Sequence, residues 1–67
     1  MSVGHNILEA RVRVPMSQRE LAEKLGVTQG AVSQWELGNK FPRIRFLPKI
    51  AEELGITLDD LLRDKGA

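Results

Sequence analysis

Ser17-Gln18-Arg19-Glu20-Leu21-Ala22-Glu23-Lys24-Leu25-Gly26-Val27-Thr28-Gln29-Gly30-Ala31-Val32-Ser33-Gln34-Trp35-Glu36-Leu37-Gly38 reads as two short amphipathic segments with a three-residue seam between them. Ser17 and Glu20 stand at capping-box spacing. The serine oxygen can accept from the amide three residues on, and the glutamate can reach back to the serine amide. Leu21, Ala22 and Leu25 then share one apolar face. Gly26 is a natural stop, because glycine takes a left-handed backbone without a steric penalty. Thr28 is an N-cap residue type, and Val32 and Trp35, three apart, point inward from the helix that follows it. Gly38 closes that helix. The spacing predicts two short helices joined by Gly26-Val27-Thr28, a tight turn that contains glycine.

Outward from this segment, glycine and proline divide the rest of the chain into further helices. Ile7, Ala10 and Val14 recur at spacings of three and four, which predicts a helix from about Gly4 to Arg13. Pro15 ends it, because the residue before a proline is pushed out of helical backbone. Leu47, Ile50, Ala51 and Leu54 predict a helix from about Arg43 to Leu54. Pro48 falls inside it and is tolerable only if the helix starts near Ile44, so that the missing donor belongs to the first turn. Gly55 ends this helix. Thr57-Leu58-Asp59-Asp60 starts a fifth, with Leu58, Leu61 and Leu62 as its apolar face. Asp60 sits where a capping-box acid would sit but is shorter than glutamate. Residues 64–67 are expected to fray. The only β-branched alternation, Val12-Arg13-Val14, stops at Pro15, so the expected class is all-α.

Sixty-seven residues with 42% hydrophobic side chains and no cysteine make one domain, read as residues 1–67, held by apolar packing alone. His5, the single histidine, cannot build a metal site by itself. No apolar run approaches the ~18 residues that span a membrane. Met1 to Asn6 lacks the order of a signal peptide, and the expected setting is cytoplasmic. Net charge is +1, but residues 1–45 carry seven Lys/Arg against four Asp/Glu and residues 46–67 carry three against five. A basic first part and an acidic tail suit one face for an anionic partner.

The run Ser17 to Gly38 resembles the helix-turn-helix of phage repressor and Cro-type proteins. The likeness continues through Pro42, the Ala51 to Gly55 stretch and the Thr57 to Leu62 cap. It implies a compact five-helix bundle of the lambda-repressor-like type, with the helix-turn-helix proper over 17–37. In that geometry the second helix crosses the DNA backbone and the third enters the major groove by its N-terminal end. With Val32 and Trp35 buried, Gln29, Gly30, Ser33 and Gln34 lie on the opposite side. Gln29/Ser33 and Gly30/Gln34 are both i,i+4 pairs on one face. Glutamine can pair with adenine N6 and N7, and serine can serve donor or acceptor edges. Gly30 reads nothing or permits close approach. A solvated polar face is the plain alternative.

The resemblance also implies roles outside the reading face. It gives Gln18 a phosphate contact and support of the first recognition glutamine. It sets the loop after Gly38, with Asn39, Lys40, Arg43 and Arg45, against the DNA backbone, where contacts position without specifying. Thr28, at the start of the third helix, joins this set. Arg13 and Arg19 are further positive charges open to the same role. Glu36, an acid that DNA would repel, is expected to turn inward and pair with Arg11. Trp35 is expected in the core rather than as a base-stacking platform. Pro15 and the small Ala10 depart from the usual family pattern and leave the exact packing of the first helix open.

The reading is therefore a DNA-binding transcriptional regulator, a repressor by preference, acting on a palindromic operator as a homodimer, in free solution or on DNA alone. An antitoxin, a restriction–modification controller or a protein-interaction adaptor of the same fold are the alternatives. No cofactor, metal, small-molecule ligand or membrane partner is expected. No nucleophile–base pair suggests an enzyme.

Overall fold

The computed structural model describes residues 3–64. The expected fraying at 64–67 therefore lies, beyond Asp64, outside the described residues. Five helices follow in order: α1 Val3–Arg13, α2 Gln18–Leu25, α3 Gln29–Glu36, α4 Leu47–Leu54 and α5 Leu58–Leu62, with a single 3-10 turn at Ile44–Phe46 before α4. Among the described residues there is no strand, and no helix is long and apolar enough to cross a membrane.

The helix ends form for local reasons. Ser17, Thr28 and Thr57 cap α2, α3 and α5 with their hydroxyl oxygens. α2, α3 and α4 all end in the same way. Gly26, Gly38 and Gly55 have φ near +70 to +79°. In each case the glycine amide and the one after it donate back to carbonyls of the last turn: Gly26 to Glu23 and Val27 to Ala22, Gly38 to Trp35 and Asn39 to Gln34, Gly55 to Glu52 and Ile56 to Ala51. These are Schellman closures, which satisfy carbonyls the helix leaves unpaired.

The core joins one stripe from every helix: Val3, Ile7 and Ala10 of α1, Leu21, Ala22 and Leu25 of α2, Val32 and Trp35 of α3, Leu47, Ile50, Ala51 and Leu54 of α4, and Leu61 of α5. Two features hold α1 in place. A Cβ on Gly4 would fall on the carbonyl oxygen of Trp35 and 2.9 Å from its carbonyl carbon, so α1 and α3 meet backbone to backbone. Asn6 is buried, and its Nδ2 donates to the carbonyls of Leu61 at 2.8 Å, Arg63 at 2.7 Å and Asp60 at 3.4 Å. It thereby closes the C-terminal end of α5, while its Oδ1 is buried without a partner among the described residues.

Several sequence expectations need correction. Val14 is not part of the α1 stripe. It lies in the turn after the helix and is 45% exposed, and Val3, one turn before Ile7, fills the core in its place. α4 does not begin at Arg43. Its first residue is Leu47, which makes Pro48 the second residue and removes the conflict with helical hydrogen bonding. Only Leu61 of the expected α5 face is buried, Leu58 and Leu62 being 42% and 37% exposed, because one short helix turns a single residue onto the bundle. Asp60, despite its length, completes the capping box by accepting from the Thr57 amide at 3.3 Å.

Candidate nucleic-acid interface

The unit that presents the site is built by sequence-local bonds. The Ser17 hydroxyl accepts from the Glu20 amide at 3.0 Å, and the Glu20 carboxylate accepts from the Ser17 amide at 2.8 Å. The bonds from the Ser17 backbone and hydroxyl hold the Glu20 carboxyl below its ordinary value. α2 then ends at Gly26, Val27 tucks half-buried against the core, and Thr28 accepts from the Ala31 amide at 3.1 Å to start α3. The left-handed glycine and the immediate N-cap leave no slack between the helices, so burial of Leu21, Ala22, Leu25, Val32 and Trp35 fixes the direction in which α3 projects.

The outer side of α3 carries the residues singled out by spacing. Gln29 and Gly30 are exposed, and Ser33 and Gln34 are half-buried. A Cβ on Gly30 would meet only the Thr28 hydroxyl at 3.9 Å, so no packing demand excludes a side chain there. Gln34 is tied to the following loop, its Oε1 accepting from Asn39 Nδ2 at 3.1 Å.

Glu36 is turned inward. Its carboxylate accepts from Arg11 Nε at 2.7 Å and Nη2 at 3.0 Å, with the two side chains only 13% and 6% exposed. The hydrogen bond with Glu36 raises the Arg11 pKa above its ordinary value, against the smaller effect of burial. Arg11 Nη1 also donates to the Met16 carbonyl at 2.9 Å. Gln18 has a partner within the fold that spacing does not reveal. Its Nε2 donates to Glu36 Oε1 at 2.9 Å, so in the free protein this amide links α2 to α3. One carboxylate thus gathers α1, α2 and the turn between them onto the end of α3.

The positive residues lie beyond α3. Asn39, Lys40, Arg43 and Arg45 are all exposed. The Arg45 guanidinium stands 5.0 Å over the Phe46 ring, and Phe46 in turn packs on Trp35 with ring centroids 6.2 Å apart. This cation–π stack orients Arg45 from the core outward. Trp35 is buried, as its spacing indicated. Of the additional charges, Arg19 pairs with Glu23 at 3.7 Å on the exposed side of α2, and Arg13 ends α1.

A capped helix, a glycine turn and a second capped helix with a polar outer side define a helix-turn-helix protein. The chain matches the sequence model of the helix-turn-helix family over residues 7–61 and belongs to that family. It is 32% identical over 62 residues to the HTH-type transcriptional activator BcrR of Enterococcus faecalis, covering 92% of this chain and 30% of that protein. It is 34% identical over 60 residues to the uncharacterized HTH-type transcriptional regulator YqaE of Bacillus subtilis (strain 168), covering 90% of this chain and 52% of that one. The chain therefore spans about a third to a half of the length of these relatives. Among solved structures it superposes on a chain of the SinR protein/SinI protein complex with a TM-score of 0.85 at 34% identity, covering 94% of this chain and 62% of that one. It superposes on the clp gene regulator ClgR of Corynebacterium glutamicum with a TM-score of 0.86 at 30% identity, covering 91% and 65%. The five-helix repressor-type fold is common to all three.

Proposed function

We propose that this chain binds duplex DNA sequence-specifically as a small transcriptional regulator, with α3 in the major groove. The observation that carries the reading is the pairing of an uncharged polar outer side on a rigidly held helix with a run of exposed positive residues just beyond it. Gln29, Ser33 and Gln34 read base edges, with Gly30 allowing close approach. Thr28, Asn39, Lys40, Arg43 and Arg45 hold the backbone, and the Gln18 amide, positioned by Glu36, adds a phosphate contact at the start of α2. The Arg11–Glu36 pair serves the fold rather than the DNA. The names of BcrR, YqaE and ClgR support the regulatory role.

The chain acts as a non-enzymatic cytoplasmic repressor by occluding promoter sequence, and binds as a homodimer on a palindromic operator whose half-sites lie about one helical turn apart. The test is selection of binding sites from random duplexes, followed by salt titration on the enriched sequence. A palindromic consensus and an affinity that falls steeply with salt are expected. Absence of any enrichment over random sequence overturns the reading. A reporter carrying the selected site gives the sign of regulation, with lowered expression expected.

A further inference from the structure

Lys40, Arg43 and Arg45 are the positive side chains of the loop beyond α3, and only the last is held. Lys40 and Arg43 are exposed, with no hydrogen-bond, ion-pair or ring partner for their side chains among the described residues. Arg45 is also exposed, but its guanidinium carbon stands 5.0 Å over the centre of the Phe46 ring. That ring is itself anchored. Phe46 packs half-buried against the core, 6.2 Å from the ring of Trp35, which is 7% exposed. The backbone under Arg45 is fixed too. Arg45 is the middle residue of the 3-10 turn Ile44–Phe46, which the Phe46 amide closes by donating to the Arg43 carbonyl at 2.9 Å. Pro48 follows in the first turn of α4.

The manner of holding matters. Arg11, Arg19 and Arg63 are held by carboxylates, which offset their charge and occupy N–H groups. A ring offsets no charge and leaves the guanidinium fork to bond an anion. We propose that Phe46 is a positioning residue that keeps the Arg45 guanidinium in its phosphate-binding arrangement before the duplex arrives, so that Arg45 contributes more to affinity than Lys40 or Arg43. Binding orders a long side chain at a cost in entropy. For Arg45 much of that ordering is already present in the free protein. Apparent affinity scales with the fraction of time the competent arrangement is occupied. An exposed cation–π contact raises that fraction by about two- to fivefold per protomer, and exclusion of water by the duplex strengthens the contact further. The inference rests on the reading of the loop beyond α3 as a phosphate-contacting surface.

The test measures affinity for a selected duplex over a salt series. The chains are the wild type, Lys40→Ala, Arg45→Ala, Phe46→Leu, Phe46→Tyr and the two double variants that join Phe46→Leu to Lys40→Ala or to Arg45→Ala. Lys40→Ala and Arg45→Ala each remove one charge and are expected to lower the salt slope equally. They separate on extrapolation to about 1 M salt, where counterion release no longer contributes. There Lys40→Ala lies near the wild type and Arg45→Ala about two- to fivefold per protomer below it. Phe46→Leu keeps every charge, so it is expected to leave the slope unchanged and to lower affinity by that same factor at every salt concentration. Phe46→Tyr keeps the ring and the wild-type affinity. In the Phe46→Leu background the loss from Arg45→Ala shrinks by that factor, whereas the loss from Lys40→Ala stays as it is in the wild type. A ring needed only for packing does not produce that selective coupling. If Phe46→Leu binds like the wild type, or if it alters the Lys40 and Arg45 effects alike, Phe46 does not position Arg45. Circular dichroism and Trp35 emission report whether Phe46→Leu folds. If it does not, the comparison at about 1 M salt decides alone, and equal affinities for Lys40→Ala and Arg45→Ala overturn the inference. If the wild type binds no duplex, the DNA-binding reading fails first and this inference with it.

Discussion

Arg11 and Glu36 meet in a two-point hydrogen bond, 2.7 and 3.0 Å, between the first helix and the end of the third. The geometry is a guanidinium fork on a carboxylate, with both side chains largely out of water, and Gln18 and the Met16 carbonyl satisfy further positions around it. Removal of one partner leaves a charge buried with nothing opposite it. Glu36→Gln is therefore expected to cost about 3 kcal/mol, which lowers the Tm of a domain of this size by more than about 10 °C. Gln18→Ala removes one neutral-donor bond to the carboxylate and leaves the Arg11 fork in place, and is expected to cost about 1 kcal/mol. A thermal melt in which Glu36→Gln matches the wild type contradicts this account of the pair.

Two glycines in helices give opposite outcomes for the same substitution. Gly30→Ala adds a methyl group on α3 that meets only the Thr28 hydroxyl at an ordinary contact distance of 3.9 Å and is expected to stabilise the free protein by about 0.5–1 kcal/mol. Gly4→Ala places its methyl on the Trp35 carbonyl, so α1 must move away from α3, at a cost of about 1–3 kcal/mol. Denaturant midpoints of the two variants, measured side by side, are expected to fall on either side of the wild type.

Local signals and distant contacts divide what the sequence reveals. The starts and stops of α2, α3 and α5 follow from hydroxyl caps and glycines acting over three to five residues, and a local pattern suffices to read them. The inward turn of Glu36 is also legible, because an acid beside a polyanion needs another explanation. Gly4 is not, since its reason is the approach of a helix thirty residues away. Asn6 looks like an ordinary polar residue of a first turn until α5 arrives beside it. Periodicity puts Val14, Leu58 and Leu62 in the core, but it does not carry where a short helix ends or how many of its apolar residues the bundle can cover. Spacing alone places Gln18 and Gln34 as polar residues on the reading unit. Their partners, Glu36 and Asn39, depend on how α3 is set against its neighbours.

Acid sensitivity has a definite sign at the start of α2. Glu20 has a lowered pKa in the fold because the Ser17 amide and hydroxyl bond to it. Its contribution to stability is therefore complete above the ordinary carboxyl value of 4.5 and is lost as pH falls below that value through the lowered one. Glu20→Gln keeps an acceptor for the Ser17 amide but does not titrate. The stability of this variant is expected to decline less than that of the wild type between pH 5 and pH 3, as read by chemical denaturation at a series of pH values.

Within the DNA-binding reading, positions beyond α3 separate by their response to salt. Lys40→Ala and Arg43→Ala each remove one exposed charge per protomer and are expected to lower the slope of log affinity against log salt by about 0.9 per protomer, about 1.8 for the dimer, with the preferred sequence unchanged. Gln29→Ala is expected to leave the slope alone and relax the preference at one position in each half-site. Fluorescence anisotropy on specific and scrambled duplexes at several salt concentrations distinguishes the two behaviours.

The hydrogen bonds from Asn6 to the end of α5 join residues more than fifty positions apart. Any such contact closes nearly the whole chain into a loop, and the entropy of that closure is recovered only after the intervening helices have packed. The Asn6 bonds are therefore expected to form late, after the folding barrier. Asn6→Ala should thus leave the refolding rate close to that of the wild type and raise the unfolding rate, so that a chevron plot shifts on its unfolding arm alone. On that view this one amide governs how long the folded domain lasts rather than how quickly it appears.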